Sequence, residues 1–122
     1  MDLKIEPFPG FLNVSVSGKF SVEKAVAGFS QILESCQDSG QTSVLIDFSQ
    51  LTDADSATLR VMFAASAREL YEHHLSAGGQ PLRVAFFGRF LTWQPGMEVA
   101  SQNGPGVRTF TNIDEARGWL GV

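Results

Sequence analysis

Ser43-Val44-Leu45-Ile46-Asp47-Phe48-Ser49-Gln50-Leu51-Thr52-Asp53-Ala54-Asp55-Ser56-Ala57-Thr58-Leu59 is the stretch on which the fold turns. Ser43 to Phe48 is a short apolar run broken only by Asp47, the pattern of a central strand buried on both faces, which is the usual state of a parallel strand. Leu51 to Asp55 reads as a loop carrying two aspartates. A helix is expected from Ser56 to Leu75, with Leu59, Met62, Phe63, Leu70 and Tyr71 on one face. A buried strand that passes through an acidic loop into a helix is the repeating unit of an α/β sheet.

Upstream of this unit the pattern changes period. Leu3 and Ile5, then Leu12, Val14 and Val16 alternating with Asn13, Ser15 and Ser17, predict two half-buried antiparallel strands joined through the turn Pro7-Phe8-Pro9-Gly10. Ser21 suits an N-cap, and Val22, Ala25, Val26, Phe29, Ile32, Leu33 and Cys36 then recur at helical spacing until Ser39-Gly40.

Downstream, Ser76 to Pro81 ends the second helix with two glycines and a proline. Leu82 to Phe87 is a further apolar strand, whose Phe86 and Phe87 face opposite sides of the sheet, and Val107 to Thr111 is a shorter one. Gly88 to Gly106, between them, is the least regular part, with a helical turn or two expected around Met97 to Ser101. Asn112 and Glu115 resemble a capping box, and Ile113, Ala116, Trp119 and Leu120 give a last helix one apolar face. The expected order is β-β-α-β-α-β-(α)-β-α: an α/β fold with a mixed, mainly parallel sheet and right-handed crossovers.

Composition bounds the rest. The 122 residues fit one domain, expected over 1–122, with 43% hydrophobic and 18% charged residues. Nine Lys+Arg against 13 Asp+Glu leave a net charge of -4, which argues against nucleic acid as a partner. The single Cys36 excludes an internal disulfide and a cysteine-based zinc cage. Asp2, Lys4 and Glu6 interrupt the start of the chain, so it lacks the ~7–15-residue apolar stretch of a secretory signal. No apolar run approaches the ~20 residues that span a bilayer, and the cytoplasm is the expected location.

At Val44-Leu45-Ile46-Asp47-Phe48 followed by Asp55-Ser56-Ala57-Thr58-Leu59, the chain resembles the STAS family of sulfate-transporter and anti-sigma-factor-antagonist domains. That family's pattern is an apolar strand ending in Asp, a short loop, then Asp-Ser-Ser-Gly-Leu opening a helix. Phe110, Ala116 and Trp119-Leu120 are similar to the close of the sporulation-antagonist-like (SpoIIAA-like) branch, which is related to CRAL-TRIO lipid-binding folds. The resemblance spans roughly residues 11 to 121 and implies a STAS-like fold and a regulatory protein partner. Two departures matter: the family's phosphoacceptor Ser falls on Ala57, and the Gly after it on Thr58. The resemblance therefore implies a domain without the usual serine switch.

Other constellations in the sequence suggest different chemistry. Asp47, Asp53 and Asp55 are the residue type that holds a hard cation, which would make a metal-dependent enzyme. The plainer reading is that Asp55 caps a helix, Asp53 sits in a turn and Asp47 ends a strand, so neither metal nor cofactor is expected. Receiver-type phosphorylation would also want a nearby lysine, and Lys4, Lys19 and Lys24 all precede the second helix. His73 and His74 are adjacent, so on a helix they diverge by about 100°, and both are expected at a solvated helix end favoured by the dipole. Gly18-Lys19 lacks the earlier glycine of a phosphate loop, since Asn13 occupies that position.

Phe90, Leu91, Trp93 and Met97 crowd an irregular stretch. They can cover a core edge, form a dimer or partner surface, or line a pocket for a lipid or small apolar ligand. The expectation is a non-catalytic STAS-like interaction module whose partner surface is Asp55, Ser56, Ala57, Thr58 and Leu59. Homodimerisation is expected through the aromatic stretch. A module binding a lipid or small apolar molecule is the first alternative, and the aspartate-cluster enzyme the second.

Overall fold

A computed structural model describes residues 1–52, 57–88 and 106–122. Strand β1 (Asp2–Phe8) runs antiparallel to β2 (Phe11–Lys19). The turn between them is Pro9-Gly10, with Gly10 at φ 89°, which suits the left-handed third position of a type II turn that an L side chain would strain. Helix α1 (Val22–Ser39) leads to β3 (Ser43–Thr52), α2 (Ala57–Ser76) and β4 (Arg83–Phe87), and the chain closes with β5 (Gly106–Phe110) and α3 (Ile113–Leu120). The sheet order is β1-β2-β3-β4-β5, parallel at every junction after the first. The mixed, mainly parallel sheet expected from the sequence is present.

Alternation along the strands sorts side chains onto two faces. Leu12, Val14, Val16, Val44, Ile46, Phe48, Val84 and Phe86 meet α1 and α2 on one face, while Phe11, Leu45 and Ala85 meet Ala116 and Leu120 of α3 on the other. Phe86 lies in the first core and Phe87 against the second, as their adjacency requires. Helix α1 buries Ala25, Phe29, Ile32, Leu33 and Cys36. It ends where Gly40, in the left-handed region, donates its N–H to the Cys36 carbonyl at 2.9 Å. Phe29 meets Phe63 of α2 edge to face at 6.3 Å between ring centres, which joins the two helices.

Three sequence expectations need correction. Met62 is 51% exposed rather than in the core. The inward stripe of α2 is Phe63, Ala67, Leu70, Tyr71 and His74, steps of 4, 3, 1 and 3, and Met62 stands about 100° off it. His74, expected at a solvated helix end, is buried: its ring stacks on Tyr71, and Nε2 lies 3.0 Å from the Gln80 carbonyl. His73 beside it is exposed. Finally, β3 continues to Thr52 through what reads in the sequence as loop, and Leu51 is buried.

Candidate functional site

The extra length of β3 comes from a bulge. Ser15 of β2 faces Asp47, yet Ser17 faces Gln50, so β3 advances three residues while β2 advances two. Such an extra residue leaves ladder groups unpaired, and here the Asp47 side chain answers them. Its Oδ1 accepts the Ser49 N–H at 2.9 Å and the Ser49 hydroxyl at 2.6 Å. The inserted residue also reverses the alternation: Val44, Ile46 and Phe48 face the α1–α2 core at even positions, and past the bulge Leu51 faces it at an odd one. Asp47 is therefore built into the backbone of the strand.

The long β3 sets where α2 begins. Lys19 pairs with Thr52, and the Phe20 N–H donates to the Thr52 carbonyl at 2.8 Å, so the carboxyl ends of β2 and β3 are tied together. Helix α1 opens directly after Phe20, where Ser21 accepts a long hydrogen bond of 3.4 Å from Lys24 N–H. Helix α2 opens at Ala57, five positions past Thr52. Both helices thus start beyond the carboxyl ends of parallel strands, where α/β sheets place their functional groups.

Of the expected partner-surface residues, Ala57, Thr58 and Leu59 form the first turn of α2, while Asp55 and Ser56 lie outside the described residues. Phe90, Leu91, Trp93 and Met97 also lie outside them, as do Asp53 and the expected helical turns around Met97 to Ser101. Among the described residues no three His, Cys, Asp or Glu side chains gather as a metal set. No helix there is long and apolar enough to cross a membrane.

At the opposite end of the strands, a cavity of about 170 Å³ lies between the carboxyl ends of α1 and α2, lined in part by Cys36, Thr42, His74 and Gln80. Burial pushes the Cys36 thiol up from its ordinary 9.0 to about 11, so at neutral pH it is a packing group and not a nucleophile. Gly79 closes over the imidazole so tightly that a Cβ there would overlap the His74 ring.

The α3 side of the sheet carries a feature that the sequence reading missed. Arg83 and Arg108 lie 5.4 and 6.0 Å from the centre of the Trp119 ring, and Arg117 sits 5.7 Å from that of Phe11. The available signal was positional: residues 83 and 108 fall on the α3 side by strand alternation. Beside Arg117 an open groove of about 480 Å³ is lined by Phe8, Pro9, Phe11, Asn13, Leu45 and Ile113.

The sequence matches the family described as SpoIIAA-like over residues 11–121. No curated protein matches the chain in sequence. Among solved structures, the anti-sigma factor antagonist SpoIIAA in its unphosphorylated form superposes with a TM-score of 0.60 at 14% identity, over 99% of this chain and 98% of that one. An anti-sigma factor antagonist from Mycobacterium paratuberculosis gives 0.58 at 19% identity, covering 99% of this chain and 94% of that one. The phosphorylated form of SpoIIAA, a cell fate determinant of Bacillus, gives 0.53 at 17% identity, over 97% and 99%. At these identities the structural likeness establishes the fold.

Proposed function

We propose that this chain, which belongs to the SpoIIAA-like family, is a non-catalytic protein-interaction module of the cytoplasm, a single domain that docks its partner through the opening of α2. The surface consists of Asp55, Ser56, Ala57, Thr58 and Leu59. One observation carries the reading: the bulge in β3 and the tie from Phe20 to Thr52 fix the carboxyl edge of the sheet, and Ala57 opens α2 just beyond it. The structural neighbours described as anti-sigma factor antagonists support a protein partner for this fold.

Binding here is constitutive. SpoIIAA is known in phosphorylated and unphosphorylated forms, whereas Ala57 has no hydroxyl at the position that matches the family's acceptor. Ser56 and Thr58 remain beside it, and helix-start amides favour phosphate. Asp53 and Asp55, however, are two of the nearest residues in sequence and oppose an added charge of about -1.5 to -2. The module also self-associates, through Phe90, Leu91, Trp93 and Met97, a dense apolar group in a short segment.

Capture of partners from native cells, with phosphosite mapping of the recovered chain, tests this reading. Ser56 and Thr58 are expected unmodified; stoichiometric phosphate on either would restore a switch one residue away. Sedimentation at high micromolar concentration is expected to give a dimer that Trp93→Ala weakens, and a monomer would remove the self-association.

A second reading, binding of a small apolar molecule, draws on the open groove beside α3. Its volume of about 480 Å³ lies within the roughly 300–1,000 Å³ range of ligand pockets. A saturable rise in melting temperature with a medium-chain fatty acid, lost on Ile113→Gln at an exposed lining residue, would favour it.

A further inference from the structure

Two cations lie near the Trp119 ring. Arg83 opens β4 opposite Gly106, and Arg108 sits two residues further along β5, so the two arginines occupy neighbouring strands on the α3 face. Their guanidinium carbons lie 5.4 and 6.0 Å from the centre of the same indole ring. Arg108 also lies 5.8 Å from the centre of the Phe110 ring, which itself packs against Trp119 at 5.8 Å. Both arginines are exposed, and Trp119 and Phe110 are half-buried.

Such a pair calls for an anion. Two guanidinium groups drawn to one ring repel each other, and the electron-rich ring face offsets only part of that. Among the described residues no carboxylate pairs with either of them; the ion pair found there joins Lys4 to Glu6 on β1. Arg83 donates through Nη1 to the Trp119 carbonyl at 2.7 Å, which fixes its orientation, and its other guanidinium donors meet no acceptor among the described residues. Arg108 makes ring contacts and has no hydrogen-bond partner among the described residues. Asp114 and Glu115 lie in the first turn of α3, whereas Trp119 lies in its last.

We infer that Arg83, Arg108 and Trp119 form a docking site for an acidic peptide segment of a protein partner. The two guanidinium forks would hold carboxylates, and the Trp119 and Phe110 rings would pack against an apolar side chain between them. This surface is separate from the opening of α2, because it lies on the other face of the sheet and towards the amino end of β4. Arg and Trp are the residue types that dominate interface energetics, and paired forks match carboxylates in geometry. Charge chooses between a peptide and a nucleic acid. With a net charge of -4, the chain repels a polyanion bearing one charge per ~1.7 Å of duplex. Two or three carboxylates placed over the pair feel mainly the local field, since screening takes over beyond about 8 Å.

Fluorescence anisotropy with three labelled probes tests the inference: a Glu-Glu-Phe-Glu-Glu peptide, its Gln-Gln-Phe-Gln-Gln counterpart, and a single-stranded oligothymidylate. The acidic peptide is expected to bind, more weakly as salt rises, and the amide peptide and the oligonucleotide to bind far less. Arg108→Gln should weaken acidic-peptide binding by about tenfold, the loss of one charge-assisted contact, at unchanged melting temperature. Arg83→Gln should weaken it similarly, and Lys24→Gln on α1 should leave it unaltered. Equal binding of acidic and amide peptides, tighter binding of the oligonucleotide, or full binding by Arg108→Gln would overturn the inference. Self-association that Arg108→Gln abolishes would also overturn it, assigning the surface to a second copy of the chain.

Discussion

Removing the Asp47 carboxylate should destabilise the fold through the bulge alone. In Asp47→Ala, Ser49 loses the acceptor of both its N–H and its hydroxyl, at 2.9 and 2.6 Å. Both bonds end on one carboxylate oxygen, a class worth about 1.5–3 kcal/mol each. Asp47 is only half-buried, so water can reach the freed groups in part. A total cost of about 1–2.5 kcal/mol follows for the pair. At about 2.1 cal/mol/K per residue, the 122-residue chain has an unfolding entropy near 0.26 kcal/mol/K, so the melting temperature should fall by roughly 4–10 °C. Urea melts of Asp47→Ala, Ser49→Ala and the double variant form the assay. Ser49→Ala loses only the hydroxyl bond and should cost about 0.5–1 kcal/mol, and the double variant should cost less than the sum of the two. Asp47→Asn keeps an acceptor and should fall between wild type and Asp47→Ala. A change below about 0.3 kcal/mol in Asp47→Ala, or strict additivity in the cycle, would refute the claim that this side chain holds the bulge.

Further outcomes test other parts of the structure. Tyr71→Phe deprives the buried Leu82 N–H of the phenol oxygen it donates to at 2.9 Å, which should cost about 1–3 kcal/mol and speed exchange of the Leu82 amide by roughly 5- to 150-fold; native-like protection would count against the bond. Gly79→Ala should cost about 1–3 kcal/mol through overlap with the His74 ring, and adding His74→Ala should relieve part of the overlap; a neutral Gly79→Ala would mean that the turn yields freely. Burial raises the Cys36 pKa from 9.0 to about 11, so folding favours the neutral thiol. Stability should be unaffected by this group below pH 9 and decline as pH rises towards 11, because only the unfolded chain readily ionises there. Comparison of urea melts with Cys36→Ala isolates that decline, and equal pH slopes in the two proteins would contradict it.

The sequence made the order of elements legible because each carries a strong local period. Ser21 to Gly40 holds a cap, an apolar stripe and a glycine stop, and the structure places α1 there. The bulge was illegible, because it arises from pairing with β2: nothing local in Ser49-Gln50-Leu51 signals that an inserted residue turns Leu51 inward. His74 was misplaced for a related reason. Its polar chemistry suggested a solvated helix end, yet its position continues the stripe of Phe63, Ala67, Leu70 and Tyr71, and the Gln80 carbonyl satisfies its ring there. The Arg83–Trp119–Arg108 grouping joins three separate elements, so only the fold brings those residues together. At the candidate site, the motif around Asp55 to Leu59 is legible through family resemblance, and the structure adds the frame on which Ala57, Thr58 and Leu59 stand.

Partner binding by Ala57→Glu tests the central claim most directly. The partner recovered with the wild-type chain is purified and titrated by calorimetry against wild type and variant, with the variant's melting curve as the check on folding. The account predicts a folded Ala57→Glu protein whose binding is abolished, because a bulky charge is placed in the first turn of α2 against a desolvated contact. Undiminished affinity in a folded variant would contradict the account, since the opening of α2 would then lie outside the interface.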